Sequence, residues 1–118
     1  MKLYDLIELC EEGQEITVTD FDYDIEVYFE NKNVEERDAW DEAMVKISKL
    51  LDVVKIGEGF TINVNLSQTI EAKIDALENA DLFIDCDVDS IMEDIENVFA
   101  GYVSESWLTK FAETLEGK

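Results

Sequence analysis

The hydrophobic positions in the first third of the chain switch from helical to strand spacing, and this switch predicts its elements. Apolar residues three and four apart predict a helix over 2–12, which Gly13 ends. Apolar and polar residues then alternate on both sides of an aspartate-rich turn at 20–24, so we expect a β-hairpin over 15–30. These predictions depend on Leu3, Leu6, Ile7, Leu9, Cys10, Ile16, Val18, Ile25, Val27 and Phe29.

The middle of the chain predicts a longer helix and a second hairpin. Asn33 is a suitable N-cap for a helix over 34–51, because apolar residues recur there at spacings of three and four. Lys46 and Lys49 lie in the C-terminal half of this helix, where they suit the helix dipole. Alternation around a glycine-containing turn then predicts a hairpin over 53–66.

The rest of the chain predicts three helices. Ser67 can cap the first, Ser90 with Glu93 matches a capping box for the second, and Ser104 can start the third. Residues 85–89 are expected to form an acidic loop or a short extended piece. The apolar faces of these helices are expected to carry Ile70, Ile74, Leu77, Ile91, Ile95, Val98, Phe99, Trp107, Leu108, Phe111 and Leu115.

The order of these elements predicts the fold class. Gly101 is expected to end the helix that Ser90 starts, and no linker or internal repeat divides the chain. We therefore expect a single acidic α+β domain over residues 1–118. Its two β-hairpins would form an antiparallel sheet, and its element order would be αββαββααα.

The charge of the chain is unusually one-sided. Thirty acidic residues against nine basic ones give a net charge of −21, whereas a magnitude of about 2 to 8 is usual for a small domain. Direct binding to nucleic acid or to anionic lipid is not expected, because both need Lys and Arg. Hydrophobic residues make up 47% of the chain, so we expect a folded domain rather than a disordered acidic tail.

The residue types that are missing narrow the chemistry further. The chain has no histidine, so it offers no Ser-His or Cys-His pair and no histidine-bearing zinc site. Its scattered glycines form no phosphate-binding loop, and no cofactor is expected. Enzymatic activity is not expected, since only carboxylates could supply it. Cys10 and Cys86 are interpreted as reduced thiols of a cytoplasmic protein without a membrane span.

The negative charge is concentrated in two segments. Residues 8–30 contain nine acidic residues and no basic one, and residues 81–96 contain seven acidic residues and no basic one. Residues 31–60, between them, are close to balance. The charge therefore indicates two particular acidic regions rather than a uniformly acidic surface.

Each acidic segment could present a row of carboxylates. Residues two apart in an extended chain lie on one side at about 6.5 Å, a spacing that would resemble a nucleic-acid backbone to a basic groove. Tyr23 is expected to be an exposed aromatic anchor in such an interface. A solvated acidic face without a partner is the alternative. The predicted contact residues are Asp20, Asp22, Tyr23, Asp24, Glu26, Asp85, Asp87 and Asp89.

A calcium site is a second alternative for the later segment. Asp85, Asp87, Asp89 and Glu96 match positions 1, 3, 5 and 12 of an EF-hand loop. The position that requires glycine is occupied by Ser90, which a helix cap explains without a metal. We therefore predict no metal site and keep calcium as an alternative.

Residues 2–8, 15–20 and 22–29 resemble small acidic proteins encoded by bacterial phages and mobile elements, some of which are anti-CRISPR inhibitors of type II RNA-guided nucleases. The resemblance implies a monomer or small homo-oligomer in the cytoplasm of a bacterial host. Its partner would be a basic DNA-binding protein, in the first place a type II RNA-guided nuclease, whose DNA channel it would occupy as a DNA mimic. A restriction enzyme, a DNA glycosylase, a histone-like protein or a toxin nuclease would suit the charge equally well.

Overall fold

The computed structural model describes residues 1–100 and 103–117. It combines helices with a four-stranded sheet, so the predicted α+β class is confirmed. A short 3-10 helix at Val34–Glu36 lies between the second strand and the second α-helix. The other elements are α1 (Leu3–Glu8), β1 (Glu15–Asp20), β2 (Glu26–Glu30), α2 (Ala39–Ser48), β3 (Val53–Ile56), β4 (Thr61–Val64), α3 (Leu66–Ala72), α4 (Ile74–Asn79), α5 (Val88–Phe99) and α6 (Glu105–Glu116).

The sheet has the strand order β2-β1-β4-β3 and is mixed rather than purely antiparallel. Both predicted hairpins form, since β1 pairs antiparallel with β2 and β3 pairs antiparallel with β4. The central pair is parallel, with Val18 opposite Ile62. The prediction of an antiparallel sheet is therefore wrong at this pair. Alternation shows which face a side chain occupies, but it carries no information about strand partner or direction.

The helices cover one face of the sheet. Alternate residues of β1, β2 and β4 are buried, while those between them are at least partly exposed. The inward side chains include Val18, Phe29 and Ile62, and the outward ones include Tyr28 and Asn63. α5 packs against β2 and α3, and α6 packs against α2 and α4. Burial on one side only is the arrangement that the period-two pattern predicts.

The second helix is shorter than the predicted span of 34–51. Its N-cap is Asp38, whose side chain accepts a hydrogen bond from the Asp41 backbone N–H at 2.9 Å. The Asp41 carboxylate in turn accepts from the Asp38 N–H at 3.2 Å, which completes a capping box. Asn33 caps the short 3-10 helix instead. Asn33 and Asp38 are both suitable N-caps and lie close together in the sequence. Asp38, which forms the capping box with Asp41, is the one that starts α2.

Two of the three predicted serine caps are wrong. α3 begins before Ser67, which lies in its first turn. Asp87 caps α5 by accepting hydrogen bonds from the Ser90 backbone N–H at 2.9 Å and its hydroxyl at 3.1 Å, so the capping box of Ser90 with Glu93 is not formed. Ser104 caps α6 as predicted. Aspartate and serine are comparable N-caps, so the spacing of residues in the sequence did not show which of Asp87 and Ser90 starts α5.

Three other boundaries differ from the predictions. The helix expected after Ser67 is divided at Lys73, where φ is −117°, so α3 and α4 replace one longer helix. α1 ends at Glu8 rather than near residue 12, and Leu9 beyond it is 77% exposed. Gly101, expected to end α5, lies outside the described residues. No helix within residues 1–100 and 103–117 has both the length and the apolar content needed to cross a membrane.

Candidate functional site

The fold brings the two acidic segments together on one surface. The Tyr23 hydroxyl donates a hydrogen bond to Asp89 Oδ1 at 2.5 Å, and the Glu26 backbone N–H donates to Glu96 Oε1 at 2.7 Å. Both contacts follow from the packing of α5 against β2. We call this region the acidic surface. It consists of Asp22, Asp24, Glu26, Asp89, Glu93 and Glu96, all exposed.

The contribution of α5 follows from helical spacing. Asp89, Glu93 and Glu96 fall within about 60° on a helix that turns 100° per residue. The opposite side of the helix buries Ile91 and Ile95 in the core. The carboxylates of this stripe therefore follow one another at about one helical turn, or about 5.4 Å along the axis. The stripe borders the edge strand β2. There the Glu96 carboxylate accepts a hydrogen bond from the Glu26 backbone N–H, a donor that an edge strand would otherwise leave unpaired.

Asp20 is not part of the acidic surface. It is only 5% exposed, and its carboxylate accepts four hydrogen bonds. Oδ1 accepts from the Ser67 N–H at 2.6 Å, and Oδ2 accepts from the Ser67 hydroxyl at 2.8 Å. Oδ2 also accepts from the backbone N–H groups of Asp22 at 2.9 Å and Tyr23 at 3.2 Å. The prediction of an exposed Asp20 is wrong, because it joins β1 to the first turn of α3.

The expected row of carboxylates in the first segment is also not extended. The backbone bends between β1 and β2, because Asp20 draws the next N–H groups back onto its own side chain. Asp22, Asp24 and Glu26 remain exposed on the turn and the start of β2. This segment therefore presents a curved group of three carboxylates.

The second expected row is broken by the start of α5. Asp85 is exposed in the preceding loop, Asp87 is the N-cap, and Asp89 already lies in the first helical turn. Glu96 lies about two turns further along the helix. Within the described ranges, no three Asp, Glu or Cys side chains are arranged to hold a metal ion. The EF-hand alternative is wrong, because the loop it requires is a helix.

Tyr23 is a connector rather than a fully exposed anchor. Its ring is half-buried and packs against the core. Its hydrogen bond to Asp89, together with desolvation and the nearby negative charges, raises the pKa of Tyr23 to about 12. The exposed aromatic side chain of this turn is Phe21, at 38%. No partner contact was predicted from the sequence for Glu93 or Glu96. Their spacing of four and seven residues from Asp89 on a predicted helix indicates that all three lie on one helix face.

The chain was compared with known proteins at the level of both sequence and structure. Comparison with protein-family models, with curated proteins and with solved structures gave no match for this chain.

No carboxylate of the acidic surface takes part in an ion pair among the described residues. The side-chain ion pairs of residues 1–100 and 103–117 are Lys2 with Asp52 at 2.8 Å and Lys32 with Asp41 at 3.1 Å. Neither involves residues 8–30 or 81–96. Exposed carboxylates grouped in this way attract Arg and Lys and can accept hydrogen bonds from them.

Proposed function

We propose that this protein binds a basic nucleic-acid-binding protein through the acidic surface and inhibits it by occupying the groove that holds DNA. The protein acts as a DNA mimic and performs no catalysis in this proposal. The observation that carries it is the joining of two base-free acidic segments by the Tyr23–Asp89 and Glu26–Glu96 hydrogen bonds.

The physical basis of binding is electrostatic competition. DNA-binding grooves hold phosphate with Arg and Lys, so carboxylates on a rigid scaffold compete for the same cations. The rigidity comes from α5 and the β1–β2 hairpin, which are fixed to each other before binding. A pre-organised surface loses little conformational entropy when it binds. Complementary charge also increases the rate of association, and this effect decreases with salt.

The resemblance of the first 30 or so residues to acidic phage and mobile-element proteins supports one partner class. A type II RNA-guided nuclease reads its short DNA signal with arginines and holds nucleic acid in a positively charged channel. We therefore propose such a nuclease, in the cytoplasm of a bacterial host, as the first partner to test. Another nuclease or DNA-binding protein is the alternative.

The test measures DNA cleavage by a purified, guide-loaded type II nuclease with increasing amounts of this protein. The test variant combines Asp22→Asn, Asp24→Asn and Glu93→Gln, three exposed residues of the acidic surface. The matched control combines Glu36→Gln, Glu71→Gln and Glu113→Gln, which are exposed elsewhere and change the net charge equally. We expect the test variant to bind at least about tenfold more weakly and the control to bind within about threefold of the native protein.

The outcomes separate the proposal from general acidity. Equal losses in both variants would show that total charge, rather than the acidic surface, determines binding. Binding that is unchanged from low to high salt would contradict electrostatic competition. If the nuclease is not bound, capture from bacterial lysate at low salt with mass spectrometry identifies the partner. A partner without a basic nucleic-acid groove would overturn the proposed function.

A further inference from the structure

An apolar groove lies at the end of β1 opposite the acidic surface. Its volume is about 290 Å³, and it lies between α1 and the β3–β4 hairpin. Ile16, near the start of β1, forms part of its wall, whereas Tyr23 and the acidic surface follow the end of that strand. The apolar side chains that line the groove are Leu6, Leu9, Ile16, Ile56, Phe60 and Ile62.

Three of these side chains are unusually exposed. Leu9 is 77% exposed, Ile56 59% and Phe60 58%. Single exposed apolar residues are common, but several around one concave region indicate a binding site. The core does not need these three groups, because most of their surface remains in water.

The backbone at Phe60 supports a role outside folding. Phe60 has φ +60° and follows Gly59 with φ +64°, and the Thr61 N–H donates to the Glu58 carbonyl at 3.3 Å across the turn. Two successive positive φ values are typical of a turn that favours Gly or Asn. A bulky aromatic residue is strained in this conformation. Here the strained residue also exposes its ring at the groove.

The surroundings of the groove are acidic. Glu8, Glu11 and Glu12 are exposed next to Leu9 in the chain, and Glu58 is exposed in the turn that carries Phe60. Residues 3–31 contain no Lys or Arg. Lys55 pairs with Asn63 on the outward face of the sheet, so strand alternation directs it away from the groove. The groove therefore combines an apolar lining with exposed acidic residues next to that lining in the chain.

We propose that this apolar groove binds a basic amphipathic helix of a partner protein. Leu9, Ile56 and Phe60 contact the apolar stripe of that helix, and the surrounding glutamates contact its Lys and Arg residues. This is the helix-in-groove mode of peptide recognition. A second copy of the chain is not the occupant, because each copy has a net charge of −21.

The strand edge beside the groove favours a helix over an added strand. The N-terminal residues already pair with the start of β3, where the Val53 N–H donates to the Met1 carbonyl at 2.9 Å. The Leu3 N–H donates to the Leu51 carbonyl at 2.8 Å. The free edge of β3 is therefore too short for a strand of ordinary length. The groove beside it remains open for side chains from a helix.

This second proposal does not depend on the first. The groove and the acidic surface have no residue in common and lie at opposite ends of β1. Variants of one can therefore be compared with variants of the other in the same binding assay.

The test uses defined peptides rather than an unknown ligand. The first probe is a helical peptide of about 14 residues with Leu at i, i+4 and i+7 and Lys at most other positions. The second has the same Lys residues with Ala in place of Leu, and the third keeps Leu but replaces Lys by Glu. We expect the first to bind at least about tenfold more tightly than the second and the third not to bind. The amide NMR signals of Leu9, Ile56 and Phe60 should shift.

A variant at Phe60 separates binding from folding. Phe60→Asn removes the ring and places a residue that tolerates positive φ in the turn. We expect the thermal midpoint to stay the same or rise, while affinity for the Leu-Lys peptide decreases by at least about tenfold. The control is Ile84→Ser. Ile84 is fully exposed, lies in the loop before α5 and does not line the groove.

Four outcomes would overturn the proposal. The Leu-Lys and Ala-Lys peptides could bind equally, which would show that charge alone is responsible. Phe60→Asn could lower the thermal midpoint without changing affinity, which would assign the ring to folding. Sedimentation could show a dimer that Phe60→Asn dissociates, which would make a second copy the occupant. Loss of binding only in the variant of Asp22, Asp24 and Glu93 would place the peptide on the acidic surface instead.

Discussion

At the scale of single residues, the position of a carboxylate decides whether it stabilises the fold or remains available to a partner. Asp20 and Asp22 are two residues apart and look equivalent in the sequence. The Asp20 carboxylate is buried and accepts four hydrogen bonds, whereas Asp22 is exposed. A buried charge must be hydrogen-bonded to be tolerated, and the first turn of α3 supplies two of the donors.

We expect Asp20→Asn to lower the free energy of unfolding by about 2–3 kcal/mol. Asparagine has one acceptor oxygen, and its NH₂ group would face N–H donors that need an acceptor. Asp22→Asn changes the net charge equally and should change stability by less than about 0.5 kcal/mol. Urea unfolding at one salt concentration measures both. Similar losses in the two variants would contradict the assigned role of Asp20.

At the scale of elements, the contact between α5 and the β1–β2 turn depends on a protonated tyrosine. The Tyr23 hydroxyl donates to Asp89, so the contact requires the neutral phenol. The pKa of Tyr23 rises from 10 to about 12 in the folded protein. The unfolded chain therefore loses this proton at lower pH than the folded chain, and stability decreases as pH rises between the two values.

We expect the stability difference between the native protein and Tyr23→Phe to be constant below pH 10 and to shrink as pH rises towards about 12. Phenylalanine keeps the ring packing and removes the titrating group. Urea unfolding at several alkaline pH values, with phenolate absorbance, measures the effect. A difference that stays constant through this range would show that the Tyr23–Asp89 hydrogen bond does not contribute.

At the scale of the whole molecule, the net charge of −21 opposes folding. The folded chain holds its carboxylates closer together than the unfolded chain does, so repulsion between them destabilises the native state. Added salt screens this repulsion, with a Debye length of about 10 Å at 0.1 M. The same carboxylates would attract the basic partner proposed above.

We therefore expect the thermal midpoint to rise as NaCl increases from about 0.01 M to about 0.5 M. The variant with Asp22→Asn, Asp24→Asn and Glu93→Gln should start from a higher midpoint at low salt and gain less from salt, because three repelling charges are removed. Calorimetry at each salt concentration checks both expectations. A midpoint that falls with salt would mean that attractive ion pairs outweigh repulsion.

Much of the fold was accessible from local patterns. The two hairpins, the exposed and buried sides of β1, β2 and β4, and the apolar faces of α5 and α6 were all predicted. Each depends on a period of two or of about 3.6 residues, which a single segment contains. The α2 start, the divided α3–α4 segment and the parallel β1–β4 pair were not predicted. These depend on competition between caps or on partners distant in the chain.

The sequence by itself determined the charge, its concentration in two base-free segments and the buried side of β1, β2 and β4, because these are properties of composition and local spacing. Only the tertiary structure decided where each carboxylate lies. Asp20 is buried because Ser67, 47 residues away, offers it donors. The two acidic segments form one surface because α5 packs against β2. Such contacts depend on non-local packing, which no local period encodes.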